Sequence, residues 1–158
     1  GAGPMRAQSI KTERGPVIRL ETPDLLKKAR YELSRQHPIL LRISGTAMLP
    51  ALADGDLVTI QPIPMQQVRD GDIVLYQSLR DTALIHRIVR VEHRSAGRFV
   101  VTRADASQSL DTPVPIHHVM GRVTAIDRDG EHIEVVQAER GVAGMVRRVL
   151  DWLGFKKG

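Results

Sequence analysis

Histidine moves protons most readily near neutral pH, because its ordinary pKa lies at about 6.5. His86 is the histidine set in a regular pattern. It belongs to the run Leu84-Ile85-His86-Arg87-Ile88-Val89-Arg90-Val91. From His86 onward the run alternates as a half-buried strand does, which places His86, Ile88 and Arg90 on one side of the pleat. On period alone, a histidine there reads more often as a satisfied structural group than as a base. His93, His117, His118 and His132 have no metal-like spacing with carboxylates and read as surface histidines. The second chemically suggestive stretch is Ser44 to Asp56, which joins a glycine turn at Gly45, an apolar Met48, a strand-breaking Pro50 and a Gly55-Asp56 turn. At its centre stands Ala47, a residue with no heteroatom to attack a carbonyl or be activated by a base.

The pattern Gly45-x-Ala47-Met48-x-Pro50-x-Leu52-x-x-Gly55-Asp56 resembles the nucleophile box of the signal peptidase I family and its relatives, the self-cleaving SOS-type repressors. Alanine occupies position 47, where those proteins carry the attacking serine. Three further boxes follow in order. Ile85-His86-Arg87-Ile88-Val89 is similar to the strand that carries histidine in the archaeal and endoplasmic-reticulum type. Thr102-Arg103-Ala104-Asp105 with Asp111 and Pro113-Val114 resembles the acidic box, although Arg103 and Ala104 replace its usual basic residue and glycine. Gly121-Arg122-Val123 resembles the closing strand.

The resemblance implies a mainly β, signal-peptidase-like fold and a Ser-His-Asp site. In that site Ala47 marks the nucleophile position and His86 is the general base. Asp111 or Asp105 orients the imidazole, with Asp111 preferred for the contact. The N–H at position 47 would be the first oxyanion donor. Gly45, two residues before it, lacks the hydroxyl that many signal peptidases use there, so Thr46 or another backbone N–H would add to it. Met48 and Pro50 would support the substrate groove from beneath the loop and at its exit. The implied activity is endopeptidase removal of a leader or signal segment, with small residues before the cut. No cofactor or metal is needed for this chemistry, and the chain is expected to be inactive as written. Gly1-Ala2-Gly3-Pro4 ahead of Met5 looks like a tag remnant, which favours a replaced serine at position 47. A natural pseudoprotease that binds extended peptides without cleaving them is the alternative, and a membrane-surface adaptor is another.

Composition narrows the partners. The 158 residues suit one domain, and the absence of cysteine excludes disulfides and thiolate chemistry. A net charge of +5 suits an acidic partner. Nucleic acid is not expected, because two Phe, two Tyr and one Trp offer little stacking surface and the arginines are scattered. No run approaches the ~20 apolar residues of a membrane span, and no signal-peptide core is visible. The expected location is therefore cytoplasmic, with peripheral contact at the inner membrane as a further expectation.

Residues 1–20 read as a tag remnant and a mobile or partly ordered arm, and residues 21–140 as the catalytic domain. That domain opens on a helix from Thr22 to about Gln36, with Leu25, Leu26, Ala29 and Leu33 on one face and Pro38 as its stop. Strands are expected over Ile39–Ile43, Leu57–Ile60, Ile73–Tyr76, Leu84–Val91 and Val119–Ile126, then a hairpin through Asp129-Gly130. Residues 141–158 form a basic amphipathic pattern, with Val142, Met145, Val146, Val149, Leu150 and Leu153 at helical spacing. This C-terminal helix either packs on the core or, through residues 141–157, rests on an anionic membrane surface.

Overall fold

The computed structural model describes residues 10–12, 15–19 and 24–136. Its strands are β1 (Ile10–Thr12), β2 (Gly15–Arg19), β3 (Ile39–Arg42), β4 (Leu57–Gln61), β5 (Ile73–Gln77), β6 (Ala83–Arg94), β7 (Gly97–Arg103), β8 (Val114–Pro115), β9 (Val119–Arg128) and β10 (Glu131–Glu134). They join one sheet in the order β1-β2-β3-β4-β9-β5-β6-β7-β8, with β10 added against β9. The β2–β3 pair is parallel, and the other pairs are antiparallel. The mainly β class expected from the sequence is therefore the observed one.

β9 holds the sheet together. β4 lies along one of its edges, from Leu57 opposite Asp127 to Gln61 opposite Arg122. Its other edge is divided between β5, which meets Val119 to Arg122, and β10, which meets Ala125 to Arg128. Gly121 lies just past the last pair of the β4–β9 ladder, hard against β4. A Cβ there would lie 2.6 Å from the Gln61 carbonyl oxygen and 2.7 Å from Ile60 Cγ2, so only glycine lets the strands meet.

The core lies on both faces of this sheet. One cluster gathers Ile39, Leu41, Val58, Ile60, Ile73, Leu75, Val123 and Ile126, with the helix α1 (Leu25–Ser34) laid over it. The other gathers Val68, Val74, Tyr76, Ile88, Val100, Val114 and Val119. β5 sends Ile73 and Leu75 to the first cluster and Val74 and Tyr76 to the second. It is buried on both sides, which is why its sequence is apolar without alternation. α1 buries Leu25, Ala29 and Leu33, one turn apart from each other. It ends with Gln36 at φ 63° while His37 N–H bonds to the Glu32 carbonyl, a left-handed closure that satisfies a terminal acceptor.

Three expectations need adjustment. The stretch 6–19, read as an arm, contains β1 and β2; Val17 and Ile18 pair with Leu40 and Leu41 in register. The helix runs Leu25–Ser34 with Asp24 before it, and Thr22 and Pro23 lie outside the described residues. Arg90 does not share a face with Ile88. The β6–β7 register shifts between Ile88 and Arg90, so a bulge at Val89 reverses the alternation; Ile88 is buried and Arg90 exposed. The C-terminal helix expected over residues 141–158 lies outside the described residues. Among the described residues no helix is long and apolar enough to cross a membrane.

Candidate active site

The loop between β3 and β4 is folded on itself by main-chain bonds. Ile43 N–H donates to Asp56 O at 2.8 Å, Gly55 N–H returns to Ile43 O at 2.8 Å, and Leu52 N–H reaches Met48 O at 2.9 Å. Gly45 takes φ +86°, a conformation that favours glycine, and its N–H donates to Asp54 Oδ1 at 2.8 Å. That bond removes Gly45 from the set of oxyanion donors. Met48 is buried beneath the loop, while Thr46, Ala47 and Pro50 are exposed, and the Leu49–Pro50 peptide is cis. The Ala47 N–H has no acceptor among the described residues, whereas the Ala47 carbonyl is held by Ala106 N–H at 3.0 Å. Asp105 N–H also points to Met48 Sδ at 3.3 Å. The segment following β7 thus clamps the loop from the side.

β6 brings His86 alongside this loop. The two elements line an open cavity of about 250 Å³, with Ile43, Ala47 and Met48 on one side and Ala83, Leu84 and His86 on the other. His86 Nδ1 lies 2.6 Å from Asp111 Oδ2. An ionised carboxylate can only accept, so Nδ1 carries the proton, and in the neutral imidazole Nε2 is then the nitrogen with the lone pair. Asp105 does not contact His86. It receives Arg87 Nε at 2.8 Å and Arg87 Nη2 at 2.7 Å as a bidentate pair, and Arg87 Nη1 donates to Gly71 O at 3.0 Å. The adjacent residues His86 and Arg87 project to opposite faces of β6, so each meets a different aspartate.

Two hydroxyls complete the cluster: the sequence marked Thr102 only as the first residue of the acidic box and Tyr76 only as part of a strand. Thr102 Oγ1 lies 2.8 Å from Asp111 Oδ2 and 2.8 Å from Tyr76 Oη. Tyr76 Oη lies 3.2 Å from Asp111 Oδ2 and 3.3 Å from His86 Nδ1. Burial, followed by the Asp111 charge, raises the Tyr76 pKa far above its ordinary value, so the phenol stays protonated. Tyr76 ends an apolar run and Thr102 follows Val100-Val101. Both occupy inward positions of strands whose composition reads as core.

The other histidines lie apart from this cluster. His118 Nδ1 contacts Gln77 O at 2.8 Å, and His132 sits between Asp127 and Glu134 at 3.0 and 2.7 Å. Among the described residues no group of His, Cys, Asp and Glu is arranged to hold a metal ion.

Residues 11–124 match the family described as Peptidase S24-like. The match spans well over half of the chain, so the chain belongs to that family, and its fold is serine-peptidase-like. No curated protein and no solved structure matches it.

Proposed function

We propose, from this family membership and the site geometry, that the chain is a serine endopeptidase of the signal peptidase type whose nucleophile position holds Ala47, leaving it inactive as written. With serine at position 47 it would remove a leader or signal segment from a precursor bound as an extended strand. The observation that carries the reading is the His86–Asp111 contact of 2.6 Å at the edge of the cavity that Ala47 lines.

The serine Oγ would attack the scissile carbonyl as His86 Nε2 takes its proton, and Asp111 would stabilise the resulting imidazolium through Nδ1–H. The oxyanion would be met by the position 47 N–H, which has no competing acceptor among the described residues. Collapse would expel the amine with the proton from His86, and water, activated by the same nitrogen, would release the acyl group. A preference for small residues before the cut belongs to the same proposal and rests on the sequence resemblance. A cytoplasmic location, with peripheral membrane contact through residues 141–157, belongs to the same proposal and rests on the sequence pattern.

The test is Ala47→Ser, with and without His86→Ala, incubated with extended peptides bearing small residues and read by mass spectrometry. Cleavage should appear with serine and vanish without His86; loss of a serine nucleophile costs on the order of 10⁶ in turnover. Peptide binding without cleavage in every variant would replace this reading with that of a pseudoprotease.

A further inference from the structure

We infer that Tyr76 and Thr102 are positioning residues for His86, acting by fastening the shared oxygen of Asp111. The inference deepens the peptidase reading above and rests on its assignment of His86 and Asp111.

Asp111 is connected to the body of the protein by a short loop, and its side chain is partly exposed, so its own backbone does little to fix the carboxylate. Its main-chain N–H donates to Thr102 O at 2.9 Å, which places the residue beside β7 but leaves its torsions free. The side chain is fixed at Oδ2. Three groups able to donate converge there: His86 Nδ1 at 2.6 Å, Thr102 Oγ1 at 2.8 Å and Tyr76 Oη at 3.2 Å.

Each hydroxyl carries one proton, and the proton count limits the arrangement. Nδ1–H must go to Asp111, because two lone pairs facing at that distance would repel. The Tyr76 proton then has two acceptors within reach, Asp111 Oδ2 and Thr102 Oγ1, and the Thr102 proton has Asp111 Oδ2 or Tyr76 Oη. In every combination that places one proton between Tyr76 and Thr102, the other hydroxyl proton is free to point at Asp111. The two hydroxyls therefore supply the carboxylate with a donor that does not depend on His86.

Tyr76 and Thr102 are themselves 1 % exposed, on β5 and β7, the strands on either side of β6. They transmit the rigidity of the sheet to a loop-borne carboxylate. Without them Asp111 could rotate toward water, and the imidazole would be free to exchange tautomers or turn in the cavity mouth. Tyr76 also meets the His86 ring edge-on, with centroids 6.1 Å apart, which limits that rotation directly.

The experiment uses the Ala47 protein with nitrogen-15-labelled histidine, comparing the parent with Thr102→Ser, the single variants Tyr76→Phe and Thr102→Val, and the double variant Tyr76→Phe/Thr102→Val by NMR. The parent should show His86 as the Nδ1–H tautomer with a slowly exchanging low-field proton. The double variant, with no hydroxyl donor left for Asp111, should broaden that proton or mix the tautomers; each single variant, which leaves one hydroxyl proton for Asp111, should do so less, and Thr102→Ser should preserve the parental spectrum. In the Ala47→Ser background, the double variant should lower kcat about tenfold, the scale of one hydrogen bond to a charged group, with KM little changed. A parental His86 spectrum in the double variant would overturn the inference, and it would do so in a folded protein. An inactive Ala47→Ser protein would instead sink the peptidase reading, and the spectra would still decide whether the hydroxyls hold Asp111 and His86 in place.

Discussion

Two aspartates stand within reach of adjacent residues on β6, and their chemistry separates them. Asp111 has a single partnered oxygen facing an imidazole, so its charge is directed at a group that must gain and lose a proton. Asp105 has both oxygens occupied by Arg87, a cation that stays charged and whose pKa the pairing raises further. In an Ala47→Ser background, Asp111→Asn should lower kcat by ~10³–10⁴, the scale seen when the corresponding carboxylate of a serine protease becomes an amide and selects the wrong tautomer. Asp105→Asn should act differently, since its main chain also holds the nucleophile loop at Met48 and, through Ala106, at Ala47. Its expected signature is faster amide exchange at residues 46–48 and a lower urea midpoint, with the His86 spectrum unchanged. A His86 spectrum altered by Asp105→Asn would show that the two carboxylates are not separable. The candidate pair was legible in part: the order of boxes pointed to His86 and left two aspartates open, because spacing alone does not say which face of β6 each one meets. The roles of Tyr76 and Thr102 were not legible, although Thr102 opens the acidic box, since a hydroxyl at the inward position of an apolar strand looks like ordinary core.

At the level of elements, the fold uses one turn twice. Asp54-Gly55-Asp56 and Asp70-Gly71-Asp72 each close a four-residue turn with glycine at φ 87° and 90°, and the last aspartate of each accepts the N–H three residues back, from Ala53 or Arg69. Each then leads into a buried strand and meets an arginine of β9, but at different range. Asp56 is held bidentately by Arg128 at 2.9 and 2.7 Å, and that bonding lowers its pKa. Asp72 Oδ1 is 3.8 Å from Arg122 and makes no hydrogen bond among the described residues, so burial wins and raises its pKa. The consequences for stability have opposite signs. Asp56 contributes stability that is present above its ordinary pKa of 3.8 and is lost as pH falls through the lower folded value. Asp72 opposes folding above its raised value and ceases to do so as pH falls toward 3.8. Asp56→Asn should therefore lower the urea midpoint at neutral pH and flatten its acid dependence. Asp72→Asn should raise the neutral midpoint and steepen the loss in acid. Equal falls at neutral pH would mean that the Asp72 carboxylate is satisfied in solution. The Gly-Asp repetition itself was visible in the sequence. The bulge at Val89 was not, because one extra residue in a strand of alternating Ile, Val and Arg leaves the composition unchanged while reversing the faces beyond it.

For the molecule as a whole, β9 is the element that every part of the site depends on. It carries Arg128 to the turn that closes the nucleophile loop and Arg122 to the turn that precedes β5, and its first half pairs with β5, the strand that presents Tyr76. The loop and the His86 side of the cavity therefore belong to one rigid sheet only while β4 and β9 stay in register. Gly121 lies just past the last pair of that register, Gln61 with Arg122, and opposite Leu75 in the β5–β9 ladder; the irregularities of both ladders fall close by, at Thr59/Ile60 and Leu75/Tyr76. A methyl at position 121 would meet a backbone carbonyl, which cannot yield as a flexible side chain can, together with Ile60 Cγ2 in the core. Gly121→Ala is expected to cost roughly 1–3 kcal/mol, the range for overpacking a well-filled core, with an unchanged denaturant slope. The cost should also reach the site. If strand separation relieves the clash, the low-field His86 proton should broaden although position 121 makes no contact with it, because β5 would carry Tyr76 away from Asp111. If the sheet instead absorbs the methyl by a local shift of Gln61, stability should fall and the His86 spectrum should stay parental. Urea unfolding and the same NMR measurement on one variant distinguish a site held by the whole sheet from one held by β5, β6 and β7 alone.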